Sequence, residues 1–262
     1  MKSALIVVLA PALALVAQVQ PPAPADSSAP RTPILVELFT SEGCSDCPPA
    51  DAFLQELDQQ PYPGAEMVVL SEHVDYWNHD GWKDPYSSNF YTERQAAYGQ
   101  EFGLKTVYTP EMVVDGTSEF VGSRRATASG AFAKAATAPK ISIRLSSISV
   151  GAGNTLRAHV ETAALPKGQK ADVYMVVALN HAESQVSAGE NNGRSLSHTA
   201  VARIMKKVGS IPKEQTFAED VELKLTPELA TANLRLVAFV QETHQGKVLG
   251  ATEQAVSTAR NQ

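Results

Sequence analysis

The sequence predicts an α/β domain at residues 33–139 followed by an all-β, sandwich-like domain at residues 140–258. Before Pro139, short apolar runs typical of buried strands alternate with segments of helical spacing. After Pro139, apolar and polar residues alternate at period two, in runs separated by Gly, Pro or Asn. That second pattern favours an antiparallel sandwich. A chain of 262 residues is long enough for two modest domains.

The first residues have the composition of an export signal and a linker. Lys2 gives a positive start, Ala4 to Ala17 is apolar, and small residues follow. This apolar run is shorter than the roughly 20 residues needed to span a bilayer. We therefore expect residues 1–25 to be a signal peptide and residues 26–32 a linker. The mature protein is then periplasmic or secreted, with no stable membrane insertion after signal cleavage.

The first half of the chain is expected to alternate strands and helices. Proline in the first helical turn and Gly or Pro after the last turn mark the helix ends. An Asp115-Gly116 pair between two apolar runs indicates a hairpin. In chain order we predict a strand at 34–39, a helix from Pro48 to before Pro61, a strand at 67–70, a polar and aromatic loop at 75–86, a helix at 88–102, a hairpin within 111–121 and an Ala-rich helix at 124–138.

The second half is expected to be all strand. Its runs are short and each is bounded by turn residues, which favours β structure. The strands are predicted at 141–145, 156–161, 171–179, 201–208, 217–225, 234–240 and 248–256, with a polar loop at 190–194.

The chain contains two cysteines, Cys44 and Cys47, three positions apart. A disulfide between them closes a very small loop, so it stabilises the fold little. Export to an oxidising compartment would let the bond form. Its purpose is therefore expected to be chemical rather than structural.

The position of the pair, between a predicted strand and a predicted helix, fits thiol chemistry. Cys44 is placed at the helix N-terminus, where free N–H groups and the helix dipole favour a thiolate. Cys47 lies close enough to attack a mixed disulfide on Cys44. We expect Cys44 to be the attacking thiolate and Cys47 the resolving thiol.

Two segments resemble the thioredoxin family. Ile34 to Glu37 followed by Cys44-x-x-Cys47 resembles its active-site strand and motif, and Gly103 to Gly116 resembles the segment around its cis-proline. The resemblance implies a thioredoxin-like fold for the α/β domain. It also implies that Pro110 is cis, that Tyr108, Thr109 and Pro110 shape the substrate groove, and that Glu37 is a buried proton relay. The alternative for Glu37 is a solvated, edge-exposed side chain.

A more detailed resemblance is to a family of bacterial secreted, thioredoxin-like proteins of unknown function. It extends over nearly the whole mature chain. The matching stretches are Leu38 to Asp51, His73 to Trp77, Gly81 to Pro85, Tyr108 to Val114, and Asn191-x-Gly193-Arg194-x-Leu196-x-His198.

The motif departs from thioredoxin in two respects. Gly43 stands where thioredoxin has a tryptophan, and the dipeptide between the cysteines is Ser45-Asp46. The anionic Asp46 disfavours a thiolate, in opposition to the helix N-terminus.

Several other residues have two interpretations. Trp77 and Trp82 form a substrate platform in one, and attach a long loop to the domain in the other. His73 and His79 are candidate partners of the cysteines in a copper or zinc site, although their spacing to the motif is irregular. For His198, with Asn191 and Arg194, we expect a hydrogen-bonding role in a loop.

The leading functional hypothesis is a thiol–disulfide oxidoreductase that acts on an exported thiol- or disulfide-containing protein or a small thiol. It needs no cofactor and no metal. The alternatives are a non-catalytic binding or assembly module with a static disulfide, and a copper metallochaperone. Nucleic acid is not expected as a partner, because the net charge is −6 and no long basic run occurs.

Overall fold

The computed structural model describes residues 31–60, 62–230 and 232–256. The predicted signal peptide lies outside the described residues, and of the predicted linker only residues 31 and 32 are described. From Arg31 onward the described residues form one compact unit. Within these residues no helix is both long and apolar enough to cross a membrane.

The described residues form eleven strands and four helices. The helices are α1 (Pro48–Gln59), α2 (Asn89–Glu101), α3 (Arg125–Ala136) and α4 (Pro227–Ala230). The strands are β1 (Thr32–Thr40), β2 (Ala65–His73), β3 (Glu111–Val114), β4 (Ser118–Val121), β5 (Ile143–Gly151), β6 (Thr155–Thr162), β7 (Ala171–Gln185), β8 (Ser195–Ile211), β9 (Phe217–Lys224), β10 (Leu234–Glu242) and β11 (Val248–Val256).

The predicted fold class, an α/β thioredoxin-like domain followed by an all-β sandwich, is wrong. Eight strands from both halves of the chain form one mixed sheet in the order β11-β10-β7-β8-β2-β1-β3-β4. The halves join where β2 runs parallel to β8, with Ser71 opposite Val201. Among the described strands, β5, β6 and β9 form a separate three-stranded sheet. The fold is therefore mostly β, with few helices.

Helices cover both faces of the sheet around β1. Val36 and Leu38 pack with Phe53 of α1 and Phe132 of α3 in one apolar cluster. On the opposite face, Phe39 packs with Tyr98 of α2 in another cluster. Because β1 is buried on both faces, it has a continuous apolar run rather than an alternating one. This run carries one acid, Glu37, into the interior.

The three-stranded sheet packs against the part of the large sheet that comes from the second half. Leu156 and Val160 of β6 share an apolar cluster with Leu236 and Val240 of β10. Strands with period-two alternation thus bury their apolar face against the longer strands, as their pattern requires.

A buried ion pair connects β1, α2 and β10. Arg94 Nε and Nη2 donate to Glu37 Oε1 at 2.7 and 2.5 Å, and the Tyr98 hydroxyl donates to Glu37 Oε2 at 2.6 Å. Gln241 Oε1 accepts from Arg94 Nη2, and its Nε2 donates to the Tyr98 hydroxyl. The guanidinium also lies over the rings of Tyr98, Tyr174 and Phe239. Both oxygens of Glu37 are therefore engaged in the core.

We expect Arg94→Met to destabilise the protein by about 3–5 kcal/mol, because it leaves the Glu37 carboxylate buried without a cation. Urea denaturation followed by circular dichroism measures the change. The control is Arg125→Met, which breaks the Arg125–Glu56 pair whose side chains are about half exposed. That variant should unfold at nearly the native urea concentration. Equal midpoints for the two variants would show that the buried pair does not hold the fold together.

Candidate functional site

The two cysteines form a disulfide at the junction of β1 and α1, with Cα atoms 5.4 Å apart. Cys47 is the N-cap residue of α1, and Pro48 and Pro49 follow it in the first helical positions. Cys44 is 1% exposed and Cys47 is fully buried, while Ser45 and Asp46 between them are exposed. The bond is therefore at a helix N-terminus but beneath the surface.

Gly43 is explained by the packing of the loop that precedes Cys44. A Cβ atom at Gly43 would lie 2.9 Å from Trp77 Cβ and 3.3 Å from the Trp77 carbonyl oxygen. The half-buried Trp77 in turn donates its indole N–H to Thr109 Oγ1 at 2.7 Å. A side chain before Cys44 would therefore displace Trp77, which joins this loop to Thr109.

The Thr109–Pro110 peptide bond is cis, which confirms that prediction. The Pro110 carbonyl accepts from Gly122 N–H at 2.9 Å. A Cβ placed on Gly122 would lie 3.1 Å from Ala50 Cβ and 3.5 Å from Pro110 Cβ. Pro110 thus lies close to the first turn of α1. Tyr108 is directed elsewhere, since its hydroxyl donates to Glu119 Oε2 on β4 at 2.5 Å.

The second tryptophan of the aromatic loop also bonds to the cysteine loop. Trp82 donates its indole N–H to Glu42 Oε2 at 2.7 Å, and the Glu42 backbone N–H donates to Asp84 Oδ2 at 2.9 Å. The structure therefore gives Trp77 and Trp82 an anchoring role. A substrate platform at these residues stays a prediction.

Glu37 is fully buried, so the solvated alternative does not apply. It lies on the face of β1 that is covered by α2, whereas Val36 and Leu38 face α1. The relay role proposed for Glu37 stays a prediction, with Arg94 and Tyr98 as its hydrogen-bond partners.

Sequence reasoning missed a buried acid next to the cis-proline. Glu111 is fully buried, and Gln95 Nε2 donates to its Oε2 and to the Tyr108 carbonyl, both at 2.7 Å. Burial raises the pKa of Glu111 to about 7, against a partial lowering by Gln95. The sequence feature that could have identified this site is the acidic residue directly after Pro110.

The β7–β8 hairpin places a loop over the cysteine motif, and we call residues 186–194 the cover loop. Asn191 is fully buried, and its Nδ2 donates to the carbonyl oxygens of Glu42 at 2.8 Å and of Cys44 at 2.9 Å. Glu190 Oε2 accepts from the Ser45 backbone N–H at 2.9 Å. The cover loop therefore holds the backbone on both sides of Cys44.

His198, on β8 beyond the cover loop, lies between two acids that flank the cysteine motif. Its Nε2 is 3.3 Å from Glu42 Oε1 and its Nδ1 is 3.7 Å from Asp51 Oδ1. All three side chains are buried. Burial lowers the pKa of His198, but Asp51 and Glu42 outweigh that effect and raise it to about 10. The imidazole is therefore a cation at neutral pH.

A second buried histidine lies next to the first. The rings of His73 and His198 are 4.7 Å apart and perpendicular, and His73 Nδ1 is 2.7 Å from Asp84 Oδ2. Burial raises the pKa of Asp84, but His73 and the backbone N–H groups of Glu42 and Tyr86 lower it below its ordinary value. His73 is thus paired with an acid, while His79 is exposed beside Asp80.

Within the part of the chain that the structure describes, no group of three or more His, Cys, Asp or Glu side chains is arranged to hold a metal ion.

The fold and the site together define a protein with a mixed eight-stranded sheet and a covered disulfide between an inner strand and a helix N-terminus. The chain belongs to the family described as "Protein of unknown function (DUF1223)", whose model matches residues 35–241. Membership in a family of unknown function was predicted from the motifs. No curated protein matches the chain.

Two solved structures share this fold. Protein AGR_C_4864 from Agrobacterium tumefaciens has a TM-score of 0.67 at 23% identity, over 90% of this chain and 99% of that one. HBP35 of Porphyromonas gingivalis has a TM-score of 0.61 at 15% identity, over 88% of this chain and 78% of that one. At these identities the similarity concerns the fold alone.

We expect Asn191→Ala to speed reduction of the Cys44–Cys47 bond by dithiothreitol about tenfold or more. The loss of two buried hydrogen bonds, each worth about 0.5–1.5 kcal/mol, makes opening of the cover loop easier. Asn192→Ala is the matched control, because Asn192 is exposed and adjacent. Equal reduction rates for the two variants would mean that Asn191 does not control access.

His198 also predicts a pH dependence of stability. Its pKa is raised in the folded state, so its stabilisation is complete below about 6.5 and is lost as the pH rises through about 10. The difference in unfolding free energy between the native protein and His198→Gln should therefore shrink between these pH values. The control is Asn192→Ala, which removes an exposed side chain without a titratable group and should give a difference that does not change with pH. A constant difference for His198→Gln would contradict a buried imidazolium.

Proposed function

We propose that the protein exchanges thiols and disulfides through Cys44 and Cys47. The observation that carries the proposal is the disulfide itself, which joins the two cysteines of the chain across three positions at the N-terminus of α1. In the chain-entropy model a loop this short contributes only about 2 kcal/mol to stability. Strand, motif and helix in this order also favour the thiolate that exchange requires.

The exchange proceeds in two substitutions at sulfur. A substrate thiolate attacks Cys44 Sγ, so that a bond from the substrate to Cys44 forms and the Cys44–Cys47 bond breaks with Cys47 leaving as a thiolate. A second substrate thiolate then attacks the substrate sulfur of this mixed disulfide and releases Cys44. The substrate dithiol becomes a disulfide, and two electrons stay on the cysteine pair. The reverse sequence reduces a substrate disulfide.

The surroundings of the pair support a substrate that approaches from the side of the cis-proline. Thr109 and Pro110 lie between Trp77 and the first turn of α1, and Thr109 is only half-buried. The proposed substrates are exported proteins or small thiols. The proposed location is the periplasm or the exterior, where a disulfide persists.

The burial of both cysteines favours a second candidate, a binding or assembly module with a static disulfide. Asn191 donates hydrogen bonds to the backbone carbonyl oxygens of Glu42 and Cys44. Because both cysteines are buried, a large partner cannot reach either sulfur. In that case the disulfide would fix the conformation of the β1–α1 connection, which the cover loop contacts.

Cysteine trapping separates the two functions. We expect Cys47→Ser to accumulate a mixed disulfide through Cys44 when it is given a disulfide substrate such as oxidised glutathione. Cys44 displaces one thiol of that disulfide and the resolving thiol is missing, whereas Cys44→Ser should accumulate far less mixed disulfide. Mass spectrometry of the unreduced protein measures both. A native disulfide that resists dithiothreitol, or a reduction potential below about −300 mV, would identify the static module instead.

A further inference from the structure

Asp51 lies one helical turn after Cys47. Its backbone N–H donates to the Cys47 carbonyl at 3.1 Å, and Cys47 has helical dihedral angles. Side chains at positions i and i+4 of a helix project on the same side, with Cβ atoms about 5–6 Å apart. Asp51 is 5% exposed, so a buried carboxyl group accompanies the buried sulfur of Cys47.

One oxygen of this carboxyl group has an ion-pair contact but no hydrogen bond within the described part of the chain. Asp51 Oδ1 is buried and has no hydrogen-bond partner among the described residues, and the same holds for both ring nitrogens of His198. The 3.7 Å between Asp51 Oδ1 and His198 Nδ1 is an ion-pair distance. A buried acceptor without a hydrogen bond destabilises the fold, which is a reason to look for a role in the chemistry.

Two other buried acids close to the motif in sequence, Glu42 and Glu37, are differently placed. Glu42 precedes Cys44 and lies outside the helix, and its Oε2 accepts the Trp82 indole N–H. Glu37 lies on the α2 side of β1, and Arg94 and Tyr98 occupy both of its oxygens. Asp51 is on α1 itself, on the side of the sheet where the cysteines lie.

We propose that Asp51 takes up and returns the proton of the Cys47 thiol, and that His198 of the β7–β8 hairpin is the positioning residue that holds it. This inference rests on the proposed function, since it assigns the proton transfer that the exchange at Cys47 requires.

In the step that oxidises the pair, the Cys47 thiol gives its proton to the Asp51 carboxylate. The Cys47 thiolate then attacks Cys44 Sγ in the mixed disulfide, so that the Cys44–Cys47 bond forms and the bond to the substrate sulfur breaks. The electron pair leaves with that sulfur as a thiolate, which takes a proton from solvent, and Asp51 releases its proton to solvent. In the reverse step Asp51 protonates Cys47 as it leaves.

The charges around His198 allow this role. Asp51 on α1 and Glu42 on the cysteine loop face its ring nitrogens. His73 on β2, paired with Asp84, and the ring of Tyr86 pack against its ring. The positive charge of His198 faces both carboxyl groups and offsets the cost of burying negative charge there.

A two-phase kinetic experiment tests the proposal. The reduced protein is mixed with dithiobis(nitrobenzoate), and the absorbance of the released nitrothiobenzoate is followed. Attack by Cys44 releases the first equivalent, and attack by Cys47 on the mixed disulfide releases the second. We expect Asp51→Asn to slow the second phase about 100-fold near neutral pH, which is the low end of general acid–base effects, and to leave the first phase within threefold of native.

Three further variants make the result specific. Asp51→Glu keeps an acid and should restore most of the second phase. His198→Gln should slow the second phase and shift its pH midpoint. Glu56→Gln removes one negative charge from the exposed face of the same helix, where Glu56 pairs with Arg125, and both phases should match the native protein.

The outcomes separate the inference from the function it rests on. A native protein that releases no second equivalent overturns the proposed exchange. A native protein that releases both, with Asp51→Asn equal to Glu56→Gln, overturns the role of Asp51 alone.

If Asp51→Asn does not fold, the Asp51 carboxyl ¹³C shift of the native protein is titrated by NMR in the disulfide and dithiol forms. A different titration midpoint in the two forms supports proton exchange with Cys47, and identical midpoints overturn it.

Discussion

The packing around the large sheet depends on one buried cation, the Arg94 guanidinium, which two buried carboxyl groups share. Arg94 is paired with Glu37 and lies 3.5 Å from Glu72, and a single guanidinium cannot balance two buried carboxylates. Burial and the charge of Glu37 therefore raise the pKa of Glu72 well above its ordinary value, against a partial lowering by Arg94. The same guanidinium contacts Tyr174 and Phe239, which belong to strands of the second half. Through this one side chain, α2 contacts strands from both halves of the chain.

The candidate site is assembled at the carboxyl end of β1, an inner strand of that sheet, from segments that are far apart in the chain. The β1–α1 connection supplies the cysteines, and Trp77 joins it to Thr109 beside the cis-proline. The cover loop, held by Asn191, closes over Cys44, and His198 brings a cation to the acids on either side of the motif. A buried disulfide is compatible with thiol exchange where a loop covers it, because loops open at a lower free energy than core strands and helices.

Features set by neighbours in sequence were predictable, and features set by distant partners were not. The strand and helix positions and the Asp115-Gly116 turn follow from local patterns. The cis bond before Pro110 was expected only from the resemblance to thioredoxin. The fold class was wrong because period-two alternation identifies a strand without identifying its partner, and β8 pairs with β2 rather than within a separate sandwich. Asn191 was expected to form hydrogen bonds within its loop, but its partner Cys44 was not predicted, since a contact across 147 positions leaves no trace in spacing.

The distance along the chain between Cys44 and Asn191 also sets an order of events in time. At about 5–20 residues per second, the ribosome needs roughly 7–30 s to add the 147 residues that separate them. During that interval the cysteines exist without their cover. Closure then waits for a contact of high sequence separation, which is a slow kind of folding event. In the newly made protein the two sulfurs are therefore accessible to oxidants and thiols at first. They become buried when the cover loop docks at the end of folding.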